Sequence, residues 1–199
     1  MISTSYLIVG HGGQGVLDLG NFIAYDGILH DMRIAYTPSY GPETRGGKVR
    51  CYVVTSEESI DSPIVDEPDV LVAMNNPSMD FENVLKEKGL LLMNLSLIDR
   101  LPRRKDVEVF GLPATDMAYK LKDQGVELAD TRVLQNSVMY GATLAAQAKP
   151  FDQQILHSVL EHVYPGTKSK FIPANARAVE LGYSFVIEHN RTNPPHCGC

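Results

Sequence analysis

The sequence predicts a three-layer α/β fold around a largely parallel sheet, with a helix-rich C-terminal half. Two observations carry that expectation. Up to residue 113, short apolar runs bounded by glycine, proline or polar residues alternate with segments of helical spacing. From residue 114 onward, helical patterns follow one another with no strand-like run between them. Strands alternating with helices favour parallel pairing, because a parallel connection needs a crossover long enough to hold a helix.

The elements follow in order. "YLIVG" (6–10) is a short apolar run stopped by glycines, as a strand buried on both faces reads. Residues 14–30 place Val16, Leu17, Leu19, Phe22, Ile23 and Leu29 at spacings suited to an amphipathic helix. "RIAYT" (33–37) and "RCYVVTS" (50–56) are rich in β-branched and aromatic residues and predict strands. "DVLVAMN" (69–75) predicts another buried strand. "PSMDFENVLKEK" (77–88) predicts a helix that Pro77 starts and Gly89 closes. "LLLMNLS" (90–96) and "VEVFGLP" (107–113) complete the strands, and helices are expected over 114–124, 130–148, 151–163 and 173–183. Residues 1–187 form one expected domain, and "EHNRTNPPHCGC" (188–199) reads as a polar, mobile tail.

Composition narrows the function classes. The 199 residues are 44% hydrophobic and 21% charged, which is ordinary globular composition. Eighteen lysines and arginines against 24 aspartates and glutamates give a formal charge of −6. The one basic cluster, Arg100, Arg103, Arg104 and Lys105, is short and reads as a solvated loop, so no nucleic-acid partner is expected. No apolar run approaches the ~18 residues of a membrane helix, and the N-terminus lacks the pattern of a signal peptide. No membrane association and a cytoplasmic location are therefore expected. Of the three cysteines, Cys51 lies in an apolar run, while Cys197 and Cys199 sit beside His196 at the end of the chain. A closed zinc site needs four ligands, so this tail offers either an incomplete metal site or exposed thiols.

"IVGHGGQGV" carries Gly10, Gly12 and Gly15 in G-x-G-x-x-G spacing directly after a strand and opening a helix. That arrangement brings backbone N–H groups at a helix N-terminus toward an anion with no Cβ in the way, and gives the chain a Rossmann-like start. The dinucleotide fingerprint also needs an acid near the end of the second strand. That strand ends at Thr37-Pro38, while Asp26 and Asp31 come too early. The alternative use of the glycines is close packing of a tight strand–helix turn. Gly41 and Gly46 have phosphate-loop spacing, but Gly47 stands where that motif requires lysine. The six histidines are scattered, with no nucleophile elbow and no metalloprotease pair, so no self-sufficient catalytic centre is visible.

Taken together, "GHGGQGV", "PSYGPETRGG" and "VTSEESIDSPIVDEPDVLVAMNNPS" resemble the gamma subunit of 2-oxoacid:ferredoxin oxidoreductases. "TRVLQNSVMYGATLAA", with Asn136, resembles a later helix of that family, and "KFIPANARAVELGY" its closing helix. The S-Y-G-P-E-x-R-G-G form is more similar to 2-oxoglutarate and branched-chain (ketoisovalerate) members than to pyruvate members. Lys48-Val49-Arg50 departs from the small residues common there, and the terminal Cys-Gly-Cys is outside the pattern.

The resemblance implies a subunit of an enzyme that decarboxylates a 2-oxoacid oxidatively, captures the acyl group as acyl-CoA and reduces ferredoxin. It implies alpha and beta partner subunits that hold thiamine diphosphate and Mg2+. Iron–sulfur ([4Fe-4S]) clusters would lie in a delta ferredoxin-like subunit or a beta-chain centre. This chain would hold none of these and would help form the coenzyme A site. Gly12, Gly13, Gln14, Gly15, Tyr40, Arg45 and Asn136 are the implied site residues, with Arg45 suited to a phosphate or a partner carboxylate because its planar fork binds either bidentately. A Glu43–Arg45 pair that merely shapes the loop is the plainer reading. Two other functions stay open: a free-standing nucleotide-binding oxidoreductase, and a structural adaptor that touches no ligand.

Overall fold

The computed structural model describes residues 2–40, 47–123 and 132–192. Six strands form one sheet: β1 (Ser3–His11), β2 (Arg33–Tyr40), β3 (Lys48–Ser56), β4 (Val70–Ala73), β5 (Leu90–Asn94) and β6 (Glu108–Leu112). Five α-helices accompany it: α1 (Val16–Leu29), α2 (Ala114–Asp123), α3 (Arg132–Ala146), α4 (Gln153–Val163) and α5 (Ile172–Thr192). The fold is therefore mixed α/β, with the sheet built from the N-terminal half and the helical region from the C-terminal half.

The strand order is β2-β3-β1-β4-β5-β6. β1, β4, β5 and β6 pair in parallel, whereas β3 is antiparallel to both β1 and β2. Only β3 runs against the common direction. The short connection from β2 to β3 explains this, because it allows a hairpin-like return and no crossover. β3 thus stands between β1 and β2, where a dinucleotide-binding fold would place the second strand beside the first.

Alternation along the strands separates two cores. Tyr6, Ile8, Cys51, Val53, Val70, Val72, Leu90 and Leu92 face the layer to which all five α-helices contribute. Leu7, Val9, Leu71, Ala73, Leu91 and Met93 face the opposite side, covered by Met79, Leu85 and Ile98. This third layer is thinner than the sequence suggests. The helix expected over 77–88 is instead a 3₁₀ segment, Asn76–Val84. Met79, Glu82 and Leu85, all buried, recur at every third position, which a helix of three residues per turn places on one side. Lys88, with φ 60°, takes the left-handed conformation just before β5, where Gly89 was expected to close the helix.

In the helical layer, α3 and α5 cross at their glycines. A Cβ on Gly141 would lie 1.9 Å from the Val179 carbonyl oxygen, and one on Gly182 would lie 1.9 Å from that of Val138. Ser137 Oγ donates to Asn175 Oδ1 at 2.6 Å beneath the same crossing. Helix α5 continues to Thr192, past the domain boundary expected at residue 187, with Val186 buried in the core and Phe185 stacked on His189. Pro195, His196, Cys197 and Cys199 lie outside the described residues. No helix among the described residues is long and apolar enough to cross a membrane.

Candidate functional site

β1 and β4 are adjacent and parallel, yet their onward connections diverge. The chain leaving β1 enters α1 on the helical face, while the chain leaving β4 enters the 3₁₀ segment on the other face. Divergence of this kind leaves a crevice at the carboxyl ends of the two strands. The glycine loop occupies it.

Gly13 (φ 90°) and Gly15 (φ 70°) both take backbone conformations that L side chains rarely adopt. Gly15 also occupies the N-cap of α1, so no side chain caps the helix. The first helical bond runs from Leu19 N–H to the Gly15 carbonyl, leaving Val16, Leu17 and Asp18 N–H without an acceptor among the described residues. Such a terminus carries partial positive charge and binds anions. Asp18, in the first turn, is partly buried, and burial raises its carboxyl pKa despite the opposing effect of nearby Lys168.

Asn136 of α3 closes one side. A Cβ at Gly15 would fall 1.8 Å from Asn136 Nδ2, so the amide lies directly against the glycine. Asn136 is completely buried, and neither its Nδ2 nor its Oδ1 has a hydrogen-bond partner among the described residues. An unpaired buried amide costs about 1–3 kcal/mol, and buried polar groups are overwhelmingly paired. His11 Nδ1, at the end of β1, is likewise buried without a partner among the described residues.

The neighbouring amides are engaged with one another. Gln14 Oε1 accepts from His11 N–H at 2.7 Å and from Asn75 Nδ2 at 2.6 Å. Asn75 Oδ1 accepts from Ser78 N–H at 3.2 Å, and Ser78 Oγ lies 2.8 Å from the Val9 carbonyl oxygen. From the other side Gln135 Nε2 reaches the Gln14 carbonyl oxygen at 3.5 Å. Thr115 Oγ1 donates to Gln135 Oε1 at 2.7 Å and accepts from Asn94 Nδ2 at 2.9 Å. A chain of side chains therefore runs from the end of β5 to the end of β4, through the glycine loop.

Of the residues expected from the sequence, Gly12, Gly13, Gln14, Gly15 and Asn136 come together here. Tyr40 ends β2 and its side chain lies outside the described residues, as do Glu43 and Arg45. The far root of their loop is nonetheless tied in, since Gly12 N–H donates to the Gly47 carbonyl at 3.2 Å. His11, Asn75 and Gln135 were not singled out as site residues, although "GHGGQGV", "VAMNNPS" and "VLQNS" contain them. A buried amide in sequence looks like any other asparagine or glutamine. Only the fold shows which ones lack solvent.

Elsewhere the reactive groups have structural roles. Cys51 is fully buried beside Gly20, and burial pushes its thiol up to about 12. Tyr140 OH donates to buried Asp26 at 3.0 Å. His162 stacks on Tyr25 with centroids 3.8 Å apart, and His157 faces Glu161. The basic cluster is engaged locally: Arg100 pairs with Asp80, Arg104 with Asp106, and Arg103 N–H donates to Glu82. Among the described residues, no group of three or more His, Cys, Asp or Glu could hold a metal ion.

Residues 5–185 match the family model described as pyruvate ferredoxin/flavodoxin oxidoreductase. Over 180 residues the chain is 35% identical to ketoisovalerate oxidoreductase subunit VorA of Methanothermobacter marburgensis, covering 90% of this chain and 36% of that protein. It is 32% identical over 191 residues to 2-oxoglutarate synthase subunit KorC of Methanothermobacter thermautotrophicus, covering 92% of this chain and 95% of that protein. The chain thus spans about a third of the VorA relative and nearly all of the KorC one. A keto/oxoacid ferredoxin oxidoreductase gamma subunit from Geobacter sulfurreducens superposes with a TM-score of 0.73 at 23% identity, covering 93% of this chain and 99% of that one. A 2-oxoglutarate:ferredoxin oxidoreductase from Magnetococcus marinus, with 2-oxoglutarate, coenzyme A and succinyl-CoA bound, gives 0.79 at 19% identity, covering 94% of this chain and 32% of that one. At these identities the two solved structures speak to the fold.

Proposed function

The chain belongs to the pyruvate ferredoxin/flavodoxin oxidoreductase family as a gamma-subunit-like domain, and from that premise we propose that it contributes part of the coenzyme A site of a multisubunit 2-oxoacid:ferredoxin oxidoreductase. The observation that carries this reading is Asn136, a buried amide with no partner among the described residues, lying against Gly15 at the uncapped N-terminus of α1. Coenzyme A is an anion with phosphate oxygens that accept hydrogen bonds. Free N–H groups at a helix start, a glycine loop without side chains and an amide donor suit such a group. The Magnetococcus enzyme's bound coenzyme A favours this ligand over other phosphates. Arg45 would supply a further, charge-assisted contact from the neighbouring loop.

On this reading the chain binds and orients coenzyme A while alpha and beta partner subunits perform the decarboxylation. Those partners would hold thiamine diphosphate and Mg2+, and a beta-chain centre or a delta ferredoxin-like subunit the iron–sulfur clusters, with ferredoxin as the electron acceptor. The VorA and KorC relatives favour a branched-chain 2-oxoacid or 2-oxoglutarate as substrate. A free-standing dinucleotide enzyme is poorly supported, because β3 displaces from β1 the strand whose end would hold the ribose.

Kinetics of the assembled enzyme test the proposal. One charge-assisted contact is worth about 1.5–3 kcal/mol, so Arg45→Ala should raise the KM for coenzyme A by roughly ten- to over a hundredfold. Asn136→Ala, a neutral contact, should raise it by a smaller factor. The KM for the 2-oxoacid should stay put in both. Normal coenzyme A kinetics in both intact variants would leave the loop as an interface device.

A further inference from the structure

We propose that Asn75 is a positioning residue for the glycine loop: from the end of β4 it fixes Gln14, and through Gln14 the direction of the loop N–H groups offered to the ligand. The inference rests on the coenzyme A reading above and assigns a role to a residue that does not itself touch the ligand.

Chemistry determines the orientation of both amides. Asn75 Oδ1 accepts from Ser78 N–H, so a flipped Asn75 would set two donors against each other. Its Nδ2 must therefore face Gln14 Oε1, at 2.6 Å. Gln14 has no more freedom, because the same Oε1 accepts from His11 N–H at 2.7 Å. Asn75 is buried, and Ser78, fully buried, anchors the unit to the Val9 carbonyl within β1. The Gln14 carbonyl lies 3.5 Å from Gln135 Nε2 of α3. Gln14 is thus held at its side chain by Asn75 Nδ2 and His11 N–H, directly before the glycine that opens α1.

The competing role for Asn75 is purely local, as the cap of the 3₁₀ segment Asn76–Val84. Asn75→Asp separates the two. It keeps the Oδ1 acceptor for Ser78 N–H and nearly the same volume, but replaces the donor facing Gln14 with an oxygen. A capping role predicts little change. The positioning role predicts that the assembled enzyme binds coenzyme A on the order of tenfold more weakly in equilibrium titration, about one buried hydrogen bond. The KM for coenzyme A should rise in step, while the KM for the 2-oxoacid holds.

A double-mutant cycle with Gln14→Met isolates the route, since that variant removes the acceptor and leaves the cap untouched. If Asn75 acts through Gln14, adding Asn75→Asp to Gln14→Met weakens binding no further. Additive losses, or an Asn75→Asp enzyme that binds coenzyme A normally, overturn the inference. Asn136→Ala distinguishes the two levels of failure. If it weakens coenzyme A binding and Asn75→Asp does not, the positioning role alone is wrong. If neither variant changes binding, the coenzyme A reading falls and the positioning role with it.

Discussion

Replacing Gly15 by alanine should cost stability through two separable causes. The residue has φ 70° and ψ 29°, and a side chain in that left-handed conformation loses about 1–2 kcal/mol. Its Cβ would also stand 1.8 Å from Asn136 Nδ2, well inside the ~3.5–4 Å of a normal contact. Asn136 is fully buried, so its shift disturbs packed neighbours, at a further ~1–2 kcal/mol. The sum is about 2–4 kcal/mol. At ~2–4 °C per kcal/mol for a chain of this size, the midpoint should fall by roughly 5–15 °C. Calorimetry and urea titration measure it, with an unchanged m-value showing that the unfolded state is the same. In an Asn136→Ala background only the conformational cost remains, so the same substitution should cost ~1–2 kcal/mol. Equal costs in the two backgrounds would refute the contact between Gly15 and Asn136.

Asn136→Ala by itself should leave the ligand-free protein within ~1 kcal/mol of the parent in urea titration, because losing an unpaired buried amide offsets the cavity created. Gly141→Ala should cost roughly 3 kcal/mol in the same assay, since its Cβ meets backbone of α5 and the helices must separate; an unchanged midpoint would contradict the close crossing. Cys51 should resist iodoacetamide at pH 8 in the native state, as burial holds its thiol near 12, and peptide mapping would expose rapid labelling if this is wrong. Burial opposes the charge on Asp69, but hydrogen bonds from Lys86 and Ser5 outweigh it and hold its carboxyl below the usual range. Its stabilising contribution is therefore complete above the ordinary carboxylate pKa of about 3.9 and lost as pH falls through the lower folded value, so Asp69→Asn should flatten the acid limb of stability against pH.

The sheet was legible because buried strands announce themselves. "YLIVG", "DVLVAMN" and "LLLMNLS" each fell on a strand, and the helices from 114 onward began close to where their spacing placed them, although the last runs nine residues beyond the expected end at 183. The reversal of β3 was not legible, since "RCYVVTS" is equally apolar in either direction and only its pairing decides. The segment 77–88 misled because Pro77 and Gly89 mark helix ends without specifying the residues per turn. At the site, the motif pointed to the glycines and Gln14, and Gly13 and Gly15 take φ of 90° and 70° that favour glycine. Asn75 and Gln135 acquire their roles from strands and helices far apart in the chain, so no local pattern marks them.

A structure of the assembled enzyme with coenzyme A bound tests the central claim most directly. The account predicts a phosphate group within hydrogen-bonding distance of the N–H groups that open α1, with the Asn136 amide no longer unpaired. Coenzyme A seated elsewhere, with Asn136 still lacking a partner, would contradict it.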